Sequence, residues 1–267
     1  MWTRVVFIVL VLSLTIGLSV TARAADTVET YDEGAVDFEF YLGGDGLNLP
    51  KYEKTVFSNV LVGYGLLPRL SGYISLGAES DEYLTYGQGG YSFGVFGTPL
   101  DTDHFDIDLM MDVGMSGESL NAIGVTPALE LNFDLRPDME LWGLYVRLED
   151  GLAGRDESVA DDPATPDIDE TETRYEFTQS LSQTYGTYFT IAERHQILAE
   201  YYYSYNTNPA RGELRSDSGG FALGYNVSIV DNLELITQVN CHPGHDHQDA
   251  TWGASVGIIV GIPKTKQ

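Results

Sequence analysis

Cysteine is almost missing from this chain: Cys241 is the only one in 267 residues, which excludes an internal disulfide framework. Basic residues are scarce, 14 Lys and Arg against 40 Asp and Glu, for a formal net charge of −26. Phosphate binding needs a basic footprint, so nucleic acid is excluded as a partner. Long apolar runs are also missing beyond the first 25 residues. The longest uncharged stretch, Tyr83 to Leu100, carries five glycines, a glutamine and a proline and is a poor membrane helix. Past its beginning, then, the chain is either soluble or crosses a membrane with strands.

The first residues read as an export signal. Arg4 supplies the positive start, Val5 to Val20 the apolar stretch, and Ala22-Arg23-Ala24 the small-residue cleavage site. Its removal takes two bases and no acid, giving 12 − 40 = −28, and no lipid-attachment cysteine follows it. The expected division is a signal peptide over 1–24, a short N-terminal segment over 25–33 and one β-domain over 34–267.

What is present is period-two alternation. Phe105, Ile107, Leu109, Met111, Val113 and Met115 form one wholly apolar face, opposite His104, Asp106, Asp108, Met110, Asp112 and Gly114. The same pattern marks Val36–Leu42, Pro127–Leu135, Trp142–Leu148, Phe221–Ile229 and Trp252–Ile262. Such runs, about 9–12 residues long, suit a tilted strand crossing hydrocarbon. Weaker runs near 55–66, 70–79, 89–97, 174–190, 196–206 and 233–241 bring the count to about 12, an even number as in bacterial single-chain barrels.

Four times two such segments meet across a very short break: at Leu67-Pro68-Arg69, Arg136-Pro137-Asp138, Ala192-Glu193-Arg194 and Val230-Asp231-Asn232. Between these close pairs lie longer acidic or glycine-rich connections, the longest being Gly151–Glu172. A soluble sandwich has no reason to segregate short turns from long loops. A transmembrane barrel does, with short turns on the periplasmic side and long loops outside. Aromatic residues gather near both strand ends: Tyr91, Tyr175, Phe177, Tyr201, Tyr203, Tyr205 and Trp252 on the loop side, Phe133, Trp142, Phe189 and Tyr225 on the turn side. The expected fold is all-β, a transmembrane antiparallel up-and-down β-barrel.

Two segments carry a family resemblance. Gly63-Tyr64-Gly65-Leu66-x-x-Arg69-Leu70 and Gly224-Tyr225-x-Val227-x-x-x-Asp231-Asn232-Leu233-Glu234-Leu235 resemble the strand-turn-strand signature of small outer-membrane transporter barrels grouped with the meta-pathway of phenol degradation. Gly253 to Ile258 is similar as well. The chain ends Ile262-Pro263-Lys264-Thr265-Lys266-Gln267, without the terminal aromatic of many such barrels. The resemblance implies a passive or substrate-selective channel for small molecules, and no catalytic residues.

If the apolar faces touch lipid, the inner faces are acidic, with Asp37, Glu39, Glu149, Glu200 and Glu234 among them. Asp106, Asp108, Asp112, Glu130 and Asp134, with Arg147 as the clearest base, are the candidates for setting selectivity. Acid rings attract cations and repel anions. The remaining cluster is Cys241-His242-Pro243-Gly244-His245-Asp246-His247, in which His242, His245 and His247 offer ligands for Zn²⁺ or Cu²⁺ in an outer loop. The spacing matches no standard structural zinc pattern, and Pro243-Gly244 also reads as plain turn chemistry. No cofactor is otherwise expected. No glycine-rich phosphate loop opens a helix, and no serine is placed beside a histidine, so an enzyme is not expected. The reading is a monomeric outer-membrane channel or transporter, in contact with lipid and small solutes, favouring cations or neutral molecules. The alternatives are a surface-displayed binding or structural barrel with a metal- or partner-binding loop, and a soluble periplasmic β-sandwich binding protein.

Overall fold

The computed structural model describes residues 30–48, 54–81, 87–116, 122–135, 142–159, 172–192, 194–208, 217–243 and 250–263. The proposed signal peptide lies outside them. Six strands make up the first half of the wall: β1 (Val36–Asp45), β2 (Thr55–Leu67), β3 (Leu70–Asp81), β4 (Gly87–Asp101), β5 (Phe105–Ser116) and β6 (Ala122–Asp134). Six more follow: β7 (Trp142–Val159), β8 (Glu172–Ile191), β9 (His195–Asn208), β10 (Asp217–Val230), β11 (Leu233–His242) and β12 (Thr251–Ile262). Each pairs antiparallel with its neighbours in sequence, and β1 pairs with β12 from Val36↔Ile262 to Gly44↔Ala254, closing the barrel.

The connections are asymmetric, as the sequence predicts, with two exceptions. Seven residues separate β6 from β7, where the break at Arg136-Pro137-Asp138 predicts three, and only five separate β3 from β4 and β5 from β6. Two residues join β2 to β3 and β10 to β11, three join β4 to β5 and β8 to β9, whereas twelve separate β7 from β8. In the β2–β3 turn Pro68 is followed by Arg69 at φ 66°, the left-handed position of a type II turn, and Arg69 is tied to Asp101 at 2.9 Å.

Burial is inverted relative to a soluble protein. Ile74, Leu76, Phe93, Leu223 and Val230 stand exposed, while Ser71, Ser75, Asn132 and Asn226 are buried. The exposed residues are the outward half of each alternation, so the apolar belt meets lipid. Turn-end aromatics meet across strands (Trp142 pairs with Phe189, and the Phe105 and Phe133 rings lie 4.9 Å apart). At the loop end the Tyr201 and Phe221 rings lie 5.2 Å apart, tilted at 47°, and Trp252 and Phe177 also face outward. These are the two girdles expected from the sequence.

On the inner face a recurrent device ties strands that are not neighbours. Tyr73 on β3 lies across Gly94 on β4 and donates to Asp112 on β5. Tyr145 on β7 crosses Gly186 on β8 to Glu200 on β9, and Tyr188 on β8 crosses Gly143 on β7 to Asp134 on β6, the latter at 2.5 Å. Tyr202 crosses Gly220 to reach His242 at 3.1 Å, and Asn240 meets Asp45 at 3.0 Å over Gly253. In every case a Cβ on the glycine would overlap the side chains that pass over it. Glycine here is required by close approach, not by backbone conformation.

One boundary differs from expectation. Gly151–Val159, expected as loop, continues β7 and pairs with Glu172–Ser180 of β8. Beyond the lipid an outward face has no need to be apolar, so the ladder persists where the hydrophobic period stops.

Two outcomes follow. Ile74→Arg, on the lipid face, is expected to destabilise the folded barrel by about 2–4 kcal/mol if Ile74 lies near the bilayer midplane, read by urea titration in bilayers. Gly186→Ala is expected to cost about 1–3 kcal/mol by overpacking against Tyr145, whereas Gly89→Ala, with nothing within 4 Å, is expected to leave the urea midpoint unmoved.

Candidate functional site

The functional surface of a barrel is its inner face, and all six predicted selectivity residues lie on it. Asp106, Asp108 and Asp112 alternate with outward Leu109 and Met111 on β5; Glu130 and Asp134 alternate with outward Phe133 on β6; Arg147 alternates with outward Leu148 on β7. They do not form an open ring. The register sets Asp108 opposite Glu130 and Glu130 opposite Arg147. Arg147 is 6% exposed and holds Glu130, 2% exposed, through both Nε and a terminal nitrogen at 2.5 Å. Asp108 accepts from Thr98 at 2.6 Å and from Asn132 at 2.7 Å. Asp112 and Asp134 are held by the tyrosines that cross the glycines, and Asp106 accepts from the Thr102 backbone N–H at 3.2 Å.

The inner face is divided along its length. Within five residues of the turn ends of their strands, Ser71, Asp108, Glu130, Tyr145, Arg147, Leu198, Asn226 and Ile236 are all buried. In a water-filled pore such residues would line the water. Here they fill the turn-side half of the bore, together with an apolar cluster of Tyr73, Phe96, Met110 and Ala128. Asn132 Oδ1 and Asn226 Oδ1, both in this half, are buried without a hydrogen-bond partner.

Residues 30–35 add to the filling. The segment turns in under the wall, with Glu33 bridged to Gly65 in parallel, Gly34 N–H donating to Gly65 O at 2.8 Å and Gly65 N–H to Ala35 O at 3.1 Å. Tyr31 takes Ser71 Oγ on its backbone N–H at 2.9 Å, donates its hydroxyl to Glu39 at 2.8 Å, and sets its ring edge-on to Phe96 at 5.3 Å. Gly63 and Gly65 leave the groove it occupies, since a Cβ on either would strike Tyr31 or Asp32. The expected segment 25–33 is therefore, from residue 30 onward, packed into the bore, and the wall begins at Val36.

The loop-side half is open in part, although Phe57, Ser92 and Ala222 are buried there. A cavity of about 350 Å³ lies there against β4 to β9, with Ser92, Asp112, Thr126, Ser180 and Asn206 on its wall.

The histidine cluster is only partly described: His245 and His247 lie outside the described residues. His242 faces inward, hydrogen-bonded to Tyr202 and, at 3.3 Å, to Asn240. Cys241, one residue before it, follows the outward parity of Val239, so the two project to opposite faces of the wall. Among the described residues no three His, Cys, Asp or Glu side chains gather as metal ligands.

No family model and no curated protein matches the sequence. Solved structures do match in fold. An outer membrane channel from Pseudomonas putida F1 aligns with TM-score 0.63 at 9% identity, covering 90% of this chain and 100% of that one. The NanC porin aligns at 0.61 and 9%, covering 84% and 98%. The β-domain of the Bordetella autotransporter BrkA aligns at 0.52 and 13%, covering 86% and 100%. At these identities the likeness establishes the fold, that of outer-membrane channels and porins. One architecture serves both channels and an autotransporter domain, so the task has to be argued from the bore.

The inward acids were legible from parity, but their partners were not. Tyr145 stood on the polar face of its strand beside Arg147, and the glycine opposite each such tyrosine was the available signal. Arg147→Met takes the guanidinium away from buried Glu130 and is expected to cost about 3–5 kcal/mol. The double change Arg147→Met/Glu130→Gln is expected to recover much of that loss, read as the urea midpoint of the heat-modifiable barrel.

Proposed function

We propose that the chain is an outer-membrane channel for small solutes, closed at its turn-side half in the state described. The carrying observation is an apolar-belted closed wall with a polar inner face, open on the loop side to a cavity and filled below it by buried side chains and residues 30–35. An autotransporter-type domain is disfavoured because the bore is occupied by the wall's own side chains as well as by a short strap, with little room for a passing chain. The reading assigns transport, not catalysis, with lipid and small solutes as the only partners and the monomer as the working unit.

Selectivity is assigned to Asp106, Asp108, Asp112, Glu130 and Asp134, whose combined charge exceeds that of Arg147 and favours cations or neutral molecules over anions. The finer kinship, with the transporter barrels grouped with the meta-pathway of phenol degradation, is part of this proposal. It is supported by the hairpin motifs at Gly63–Leu70 and Gly224–Leu235, both of which are strand-turn-strand units of the wall.

Refolded protein in a planar bilayer under a KCl gradient is expected to show small discrete conductance steps with a cation-selective reversal potential. Removing residues 26–35 is expected to enlarge the steps by vacating the Tyr31 groove. Silence from both proteins, with the heat-dependent gel shift of a folded barrel intact, would remove the channel reading.

A further inference from the structure

The loop-side cavity is built by the register of six strands. Cross-strand partners place Asp112, Thr126, Gly151, Ser180 and Asn206 in one row across β5 to β9. The adjacent row is Ser92, Gly114, Gly124, Ala153 and Thr178 across β4 to β8. Toward the turn side the inner face carries Tyr145, Arg147 and Tyr73, so the two rows form a recess with a bulky shelf beneath.

The chemistry of this recess is one-sided. Its floor is glycine and alanine backbone, with Met115, Ile123 and Leu152 adding an apolar surface on which the C–H face of a sugar ring would rest. Its wall offers hydroxyls from Ser92, Thr126 and Ser180, the Asn206 amide and one carboxylate. Tyr73 occupies Asp112 Oδ2, while Oδ1 is directed to the Gly114 side, 3.7 Å from where a Cβ would stand. Among the described residues no basic side chain and no aromatic ring lines it. A carboxylate ligand would face the like charge of Asp112, and an aromatic hydrocarbon would meet hydroxyls, the Asn206 amide and a carboxylate with no described ring to stack on. At about 30 Å³ per water molecule, the 350 Å³ cavity has room for about a dozen waters, enough for a single sugar ring, the bulk of about six, together with the waters that bridge it to the wall. Few convergent polar groups around a recess of this size are the usual make-up of a small-molecule site.

We propose that this recess is a binding site for a neutral, hydroxyl-rich solute of monosaccharide size, held by hydrogen bonds to the Ser, Thr and Asn side chains and to Asp112 Oδ1. The proposal rests on the channel reading, since it names the solute class that would enter from the loop side.

The test is direct binding to the detergent-solubilised, folded barrel by titration calorimetry, using glucose, glucosamine, gluconate and phenol. Saturable binding of glucose is expected, with glucosamine retained and gluconate and phenol rejected. Gly124→Leu fills the recess without disturbing the wall, because a Cβ at Gly124 meets only Leu152 O at 3.7 Å. It is expected to weaken glucose about tenfold or more, the loss of one or two hydrogen bonds. Asp112→Asn is expected to admit gluconate. Gluconate or phenol binding as tightly as glucose to the unaltered protein, or glucose binding unchanged in Gly124→Leu, would overturn the proposal. Bilayer conductance on the same preparations separates the two readings: a conducting barrel without saturable sugar binding loses the site and keeps the channel, and a silent barrel that binds glucose keeps the site and loses the channel.

Discussion

Backbone hydrogen bonding in a medium without water is the constraint from which the rest of this structure descends. Inside hydrocarbon an unpaired N–H or C=O has no solvent to turn to, so a sheet that crosses must have no edge. The β1–β12 ladder removes the edge by setting the first and last strands side by side. Once the wall is closed, each strand has one face to lipid and one to the axis, and the alternation of side chains follows.

Closure also concentrates the polar residues. Twelve strands put their inward side chains into one narrow space, and the high acid content of the chain makes that space electrostatically demanding. The structure answers locally. Arg147 neutralises Glu130, tyrosine hydroxyls hold Asp112, Glu200 and Asp134, and Tyr31 and Tyr41 share Glu39. A carboxylate that accepts a tyrosine hydrogen bond is solvated by the protein, which permits the turn-side half to exclude water.

Much of the wall was legible in the sequence because lipid imposes a strict pattern. Phe105 to Met115 announces β5 by its apolar face alone, and the short breaks at Pro68-Arg69 and Asp231-Asn232 are turns between the strands they were expected to join. Legibility failed where that pattern has no cause to persist. Gly151–Val159 rises past the apolar belt and keeps its ladder without the period. Residues 30–35 form no strand of the wall, so nothing in their alternation shows that Tyr31 enters the bore. Parity told which acids point inward, but pairing depends on residues two strands away, such as Tyr145 with Glu200 across Gly186. Of the histidine cluster only Cys241, His242 and Pro243 are described, and parity sends Cys241 and His242 to opposite sides of the wall.

The tyrosines that step over glycines bear on how the wall is assembled. A hairpin that pairs two residues out of register keeps its apolar face outward, so lipid contact by itself does not reject it. Each glycine crossing rejects it: a slip brings a side chain under the ring in place of hydrogen and moves the acceptor two strands away out of reach. Gly94 carries such a crossing on β3 to β5, and Gly143, Gly186 and Gly220 carry them on β6 to β11, so most of the circumference is checked. Each check is complete only when a third strand has arrived, which makes it a proofreading step for strand order as well as for alignment.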